Sequence, residues 1–267
     1  MPGAVPREGS SERAGEGGEG CFTTVRILRG RPTRVERHAE RLRRDAARLG
    51  LDLPGRAEVE RLIVERAREE PGPGRDGILR IEWSRAGEGP PRLVASARAV
   101  DERPSVWRAA IAETTHPGPG RRHNAKQVGV VAYDRARAEA RSRAVEEVLL
   151  FDDGGRLVEG SHTNILVVTS EGELGTPALE LGAVEGIGLA VVRESEPSLR
   201  SVVLDRADLL SARELMAVNI VRGLAPIVEL DGEAVGDGQP GPWARRLGSL
   251  FLEADRLRDS LSADQRP

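Results

Sequence analysis

The stretch RRHNAKQVGVVAYDRARAEA, Arg121–Ala140, holds the only lysine of a 267-residue chain. The chain carries 40 Lys plus Arg, and all but Lys126 are Arg. On a wet surface the two cations are interchangeable, and the excess of Ala, Gly, Arg and Pro has the look of a coding bias that turns Lys into Arg wherever either will serve. They part company where a neutral amine is needed. Arg stays protonated, whereas a Lys amine can shed its proton and attack a carbonyl. The surviving Lys126 therefore points to amine chemistry; chance survival of a surface lysine is the alternative.

Immediately before it, HPGPGRRHNA (116–125) clusters Pro and Gly between two patterned halves and reads as a linker. Upstream, CFTTVRILRG alternates like a strand that ends in a turn at Gly30. RVERHAERLRRDAARLGLDLP follows as a helix with Val35, His38, Leu42, Ala46 and Leu49 on one face, closed before Pro54. GRAEVERLIVERAREEPGPG is a second helix, GILRIEWSRAG and PRLVASARAV a strand pair, and VWRAAIAET a further strand. Downstream, KQVGVVAYDRARAEARSR reads as a helix opening at Lys126, with Val130, Ala132, Ala136 and Ala140 available for burial. EEVLLFDDGGRLVEGSHTNILVVTSEGEL gives three strands joined by turns, GIGLAVVRES a short helix, and RSVVLDRADLLSARELMAVNIVRGLAPIVELDG strand, helix, strand, turn and strand. PGPWARRLGSLFLEADRLRDSL closes the pattern as an amphipathic helix. No repeat is present. The expected organisation is α+β with two domains: an N-terminal α/β domain over 1–115, a linker over 116–125, and a larger C-terminal domain over 126–267, with Lys126 beside the cleft between them.

Composition narrows the function classes. The net charge is −3 and the 43 Asp plus Glu balance the arginines. Most charge lies in mixed-sign helical runs that read as solvated faces, which argues against a nucleic-acid binder. The single cysteine, Cys21, excludes an internal disulfide and fits a reducing compartment. It reads as a small buried apolar residue rather than a nucleophile. No apolar run approaches the ~18 residues of a membrane span, and MPGAVPREGSSERAGEGGEG lacks a signal-peptide core, so a cytoplasmic protein is expected. No His/Cys cluster has metal-ligand spacing, so no metal is expected.

Two further features give Lys126 a context. Glu159, in LVEGSHTNILVV, sits at a strand end before a turn of small polar residues, where a carboxylate can pair with a protonated ring nitrogen; an ordinary turn glutamate is the plainer alternative. In ELGAVEGIGLAVVRE, Gly186–Gly188 opens a helix whose first N–H groups can hold a phosphate, although a plain glycine-rich helix start looks the same. An amine, a carboxylate and an anion-holding turn are together what pyridoxal phosphate requires.

At this point the chain resembles the fold-type IV pyridoxal-phosphate enzymes, the class IV aminotransferase family. SSERAGEGGEGCFTTVRI is similar to the family's opening, and HAERLRRDAARLGL to its His-x-x-Arg-Leu helix. LVEGSHTNI is similar to its Glu-Gly-Ser-x-x-Asn motif. GTPALELGAVEGIGLAVV and RELMAVNIVRGLAPIVELDG are similar to its last two segments. The resemblance implies a two-domain fold with a barrel-like C-terminal domain, a homodimer, and pyridoxal 5'-phosphate bonded to Lys126. It further implies Arg41 on the phosphate, Glu159 on the pyridine nitrogen, the Ile187 and Gly188 amides on the phosphate, and the backbone of Asn219 and Ile220 facing the cofactor. The family's Thr-Arg after Gly-Ile is here Gly188-Leu189, and the tyrosine that branched-chain enzymes carry five positions after the lysine is Val131. On GEGCFTTVRI and Val131 the chain looks most like an aminodeoxychorismate lyase, which releases pyruvate from 4-amino-4-deoxychorismate to leave p-aminobenzoate for folate synthesis. The alternatives are an amino acid aminotransferase of D-amino acid or branched-chain type, and a non-catalytic module that keeps the fold. His38 is expected to be structural. His123 and His162 are placed near the site without a role.

Overall fold

The computed structural model describes residues 19–71, 74–100, 102, 104–120 and 124–251. Residues 10–18 of the opening motif and His123 lie outside them.

Strand β1 (Glu19–Leu28) alternates as its sequence does: Cys21, Thr23, Val25 and Ile27 are buried, while Phe22, Thr24 and Arg26 face the other way. Its inner face packs on α1 (Val35–Arg48) and α2 (Arg56–Glu69) through Ala39, Leu42, Ala46, Val59, Ile63 and Ala67. These small and aliphatic residues at helical spacing let both helices lie close to the strands. With β2 (Arg31–Pro32), β3 (Gly77–Arg85) and β4 (Arg92–Ala99), β1 forms an antiparallel four-stranded sheet in the order β2-β1-β3-β4.

The second sheet has nine strands. They are β5 (Trp107–Ile111), β6 (Glu147–Phe151), β7 (Leu157–Gly160), β8 (Asn164–Val168), β9 (Leu174–Pro177), β10 (Arg200–Val202), β11 (Glu214–Asn219), β12 (Gly223–Leu230) and the short β13 (Glu233–Ala234). The order is β10-β9-β8-β11-β12-β5-β6-β7, with β13 on β12. Strands β6, β7, β8 and β9 read as near-continuous apolar runs because layers cover both faces. One layer gathers Leu149, Leu157, Ile165 and Leu215 around α5 (Arg206–Leu210). Another sets Leu166, Met216 and Val218 against α4 (Ile187–Ser195) and the closing helix, 242–251. A third lays Ala136 and Ala140 of α3 (Val131–Ser142) on Ala110, Val148 and Leu150. The α+β class expected from the sequence is what the structure has, with two curled sheets.

Two expectations are corrected. β5 was placed in the first unit, but it pairs in parallel with β6 and β12. The change of sheet therefore falls between Ala99 and Trp107, upstream of 116–125. The helix expected to open at Lys126 begins at Val131. Gly129 has φ +69°, outside the helical region, and residues 126–128 are drawn off to pair with β1 instead.

Candidate active site

Lys126 is fixed by its backbone before its side chain does anything. Phe22 N–H donates to the Lys126 carbonyl at 2.9 Å and Val128 N–H to the Gly20 carbonyl at 3.0 Å, so the segment runs along β1 as an added strand. Its own N–H donates to Asp45 Oδ2 of α1 at 3.0 Å. The side chain emerges on the Phe22 face of β1, with Nζ 4.9 Å from the ring centroid. Arg80 lies over the same ring at 3.5 Å. Burial, and then the Arg41 guanidinium, push the Lys126 amine from its ordinary 10.5 down to about 7; Glu159 pulls the other way. The amine, Arg41 and Glu159, three residues that the sequence singles out, thus act on one another in one place.

Arg41 follows from the periodicity of α1. It is 6% exposed, on the face that carries His38, Leu42 and Asp45. Its Nε donates to Asp45 Oδ2 at 3.4 Å, and its Nη2 is buried with no partner. Burial disfavours its charge, and Asp45 and Glu159 favour it. A buried guanidinium nitrogen with nothing to donate to is what an arriving anion would satisfy. Asp45, fully buried, also meets Arg44 at 3.4 Å and Arg48 at 3.8 Å. Both arginines reach on to Glu185, just before α4, at 3.3 and 3.0 Å. This ties α1, packed on the first sheet, to the segment before α4, packed on the second.

Glu159 is the last residue but one of β7, directly opposite Leu150. Its carboxylate is 3% exposed and surrounded by donors. Tyr133 Oη lies 2.5 Å from Oε1. Val184 N–H donates to both oxygens at 3.0–3.1 Å, and Asn164 Nδ2 to Oε2 at 3.4 Å. The Gly160–Thr163 turn that follows is wrapped around a second buried carboxylate, Glu147. That group accepts from Ser161 N–H at 2.8 Å, Ser161 Oγ at 2.5 Å and Thr163 Oγ1 at 2.6 Å. Burial pushes the Glu147 carboxyl up, but His162 and these hydroxyls outweigh it and hold it at about 2. Position 160 must be glycine, since a Cβ there would lie 2.4 Å from Thr163 Oγ1 and 2.7 Å from Glu147.

The glycine turn meets the last segment. A Cβ on Gly188 would stand 2.8 Å from the Asn219 carbonyl carbon and 3.0 Å from the Ile220 nitrogen, so Gly188, Asn219 and Ile220 touch backbone to backbone. Gly186 caps α4 from the extended region. Ile187, Gly188 and Leu189 then present first-turn N–H groups that have no acceptor within the helix. The Gly188-Leu189 departure removes a hydroxyl and leaves these amides in place. The orphaned Arg41 nitrogen, the open helix start, the partly neutral amine and the buried carboxylate together fit pyridoxal phosphate.

The remaining expectations divide. Cys21 is buried against the Leu42 carbonyl, and burial, with Asp45 next, pushes its thiol up to about 12, so it is no nucleophile. His38 is structural: Nδ1 lies 2.7 Å from Thr23 Oγ1, and burial, with Arg41 next, pushes the ring down to about 3. His162 stands over Trp107, 3.1 Å from Glu147. The sequence reading missed Asp45, Tyr133 and His116 as site residues. It also missed Asn124, whose amide donates to the Leu179 and Ala183 carbonyls at 2.8 and 2.6 Å. Tyr133 is the chain's single tyrosine, the one signal that could have drawn attention to it.

The family model of Amino-transferase class IV matches residues 20–230. The chain belongs to the class IV aminotransferases. Class IV aminotransferases are pyridoxal-phosphate-dependent. A putative branched-chain-amino-acid aminotransferase of Methanocaldococcus jannaschii is 30% identical over 122 residues, 44% of this chain and 42% of that protein. The chain's match thus spans about four-tenths of the length of the branched-chain relatives it resembles. The D-alanine aminotransferase of Bacillus licheniformis is 22% identical over 251 residues, covering 88% of this chain and 87% of that one. Among solved structures, the branched-chain aminotransferase of Thermoproteus uzoniensis with norvaline superposes with a TM-score of 0.74 at 26% identity, over 87% of this chain and 84% of that one. These relatives are named as aminotransferases, so the closeness to aminodeoxychorismate lyase expected from the opening motif finds no support in them. Among the described residues no helix is long and apolar enough to cross a membrane, and no group of His, Cys, Asp and Glu could hold a metal.

Proposed function

We propose that the chain is an amino acid aminotransferase that passes an amino group from an amino acid to a 2-oxo acid, with a D-amino acid or a branched-chain amino acid as donor. The observation that carries it is the Lys126 amine, lowered to about 7 between Arg41 and Glu159. The relatives' names favour amino transfer over the lyase reaction. When bound, pyridoxal phosphate supplies an aldehyde for the amine and a ring that takes up electrons from the substrate Cα. The chain supplies the rest. Lys126 Nζ would hold the cofactor and, when not bonded to it, would carry the substrate Cα proton. Arg41 and the Ile187 and Gly188 amides hold the phosphate. Glu159 orients the ring from its nitrogen side, and the Asn219–Ile220 backbone supports the turn. The same reading carries the homodimer implied by the resemblance, which sedimentation tests.

The purified protein loaded with pyridoxal phosphate should be yellow, and borohydride should fix the cofactor on Lys126, found by peptide mass. Amino transfer that requires an added 2-oxo acid supports the proposal. Pyruvate released from aminodeoxychorismate without one would replace it with the lyase. A colourless protein would replace it with the non-catalytic module.

A further inference from the structure

Glu159 has two neighbours that the proposed function leaves unused. His116, from the Pro/Gly stretch, and Tyr133, from the first turns of α3, converge on it. Tyr133 Oη is 2.5 Å from Glu159 Oε1. His116 Nε2 is 3.0 Å from that hydroxyl and 3.5 Å from the carboxylate oxygen. The two rings meet edge to face, 5.8 Å apart at 74°. His116 and Glu159 are each 3% exposed.

The direction of the hydrogen bonds can be worked out. Gly118 N–H donates to His116 Nδ1 at 3.0 Å, so Nδ1 is an acceptor and the neutral ring carries its proton on Nε2. Nε2–H then donates to Tyr133 Oη, and the tyrosine proton goes to Glu159. Burial, with the Glu159 charge next, raises the phenol well above its ordinary range, so it keeps the proton it donates. The result is a chain of donors that ends on one carboxylate oxygen, held by a linker residue whose tautomer the backbone sets.

We propose that His116 and Tyr133 are positioning residues that set the basicity and aim of Glu159 toward the cofactor ring nitrogen. The inference rests on the role given to Glu159 in the proposed function. A hydrogen bond to a carboxylate lowers its affinity for a proton. With Tyr133 in place, the carboxylate would leave a proton on the ring nitrogen. Without it, Glu159 becomes the stronger base, the ring withdraws electrons less, and the group formed at Lys126 keeps its own proton to higher pH. Arg41, Arg80 and Arg137 also face Lys126 and are unchanged by this substitution.

The test is Tyr133→Phe, which removes one oxygen and keeps the packing, compared with the wild type as loaded protein. The visible absorbance of the bound cofactor should titrate with a midpoint raised by about half a unit or more, the size expected for one bond to a charged group transmitted in part. kcat should fall about tenfold with KM little changed, as for an interaction made in the transition state. His116→Leu should shift the midpoint the same way by less. A wild-type midpoint and kcat in Tyr133→Phe overturns the inference. So does tighter cofactor binding at an unchanged midpoint, which would mean that the hydroxyl merely fills space the cofactor takes. Wild-type protein that takes up no cofactor overturns the proposed function, and this inference with it; a loaded wild type beside an unresponsive variant overturns this inference alone.

Discussion

Replacing Lys126 by Met in the cofactor-free protein should change stability in a way that depends steeply on pH. Methionine keeps the unbranched stem and removes the charge. In the folded chain the amine is lowered from 10.5 to about 7. At 1.36 kcal/mol per unit, keeping it protonated costs the fold up to about 5 kcal/mol. The sign follows from proton counting. Between pH ~7 and 10.5 the unfolded chain holds a proton on this amine that the folded chain does not, so wild-type stability rises with pH across that window. Below pH ~7 both states hold the proton and the full cost is present. Lys126→Met removes the cost, so it should be the more stable protein at pH 6, by several kcal/mol, and the advantage should shrink steadily toward pH 10. Urea unfolding of both proteins at pH 6, 8 and 10, with equal slopes confirming the same transition, reads this directly. Titrating groups that do not interact with the amine contribute equally to both proteins and cancel. A difference that stays constant from pH 6 to 10 would show that the amine titrates as it does in water, and the argument for a nucleophilic lysine would go with it. At pH 7 a midpoint near 7 leaves about half the amines neutral, against about one in three thousand at the ordinary value.

The single lysine makes its neighbours testable by one amine-specific label. Arg41→Met removes the largest charge that lowers the amine, so acetylation of Lys126, followed by peptide mass, should need a higher pH. Glu159→Gln removes the charge that raises it and should move the profile lower. Arg41→Met should also weaken pyridoxal-phosphate binding by about 10- to 100-fold, measured by absorbance titration, the worth of charge-assisted bonds to a phosphate. Gly188→Ala forces a Cβ to within 2.8 Å of Asn219; thermal unfolding should show a loss of about 1–3 kcal/mol, together with weakened cofactor binding. Asn124→Ala removes the two bonds to the Leu179 and Ala183 carbonyls and places a Cβ-bearing residue without a polar side chain at φ +65°, so urea unfolding should show a loss of about 1–3 kcal/mol.

The alternation in CFTTVRIL and the helical spacing of Leu42 and Ala46 made β1 and α1 legible, because a strand and a helix that each bury one face write their period into the sequence. β5 was legible as a strand but not as a member of the second sheet. Its five residues are paired by β6 and β12, strands more than thirty residues away, and no local pattern records that choice. The start of α3 was misplaced because 126–130 continues the helix-compatible composition. What stops the helix is a backbone pairing with β1, a partner a hundred residues upstream. At the site, Lys126, Arg41 and Glu159 were legible by residue type and motif. Asp45 was not, since on α1 it looks like one more charge in a mixed-sign helix and only burial distinguishes it.

The three positive groups around Lys126 explain why its residue type matters. Arg41, Arg80 and Arg137 all bear on the amine, and one carboxylate, Glu159, opposes them while itself occupied by Tyr133, Val184 and Asn164. A fourth fixed charge in this setting would have to stay charged at every pH, because a guanidinium has no accessible neutral form. An amine can instead answer burial and repulsion by giving up its proton. The arginines that make the surroundings hostile to a cation are therefore what turns the lysine into a base, and the Asp45 carboxylate shows how the fold tolerates them: it takes Arg41, Arg44 and the Lys126 backbone N–H on its two oxygens. That neutralises the arginine side of the site without offering the Lys126 amine a partner. Glu159 is the carboxylate that raises the proton affinity of the amine against these arginines, which makes its state a control on the site.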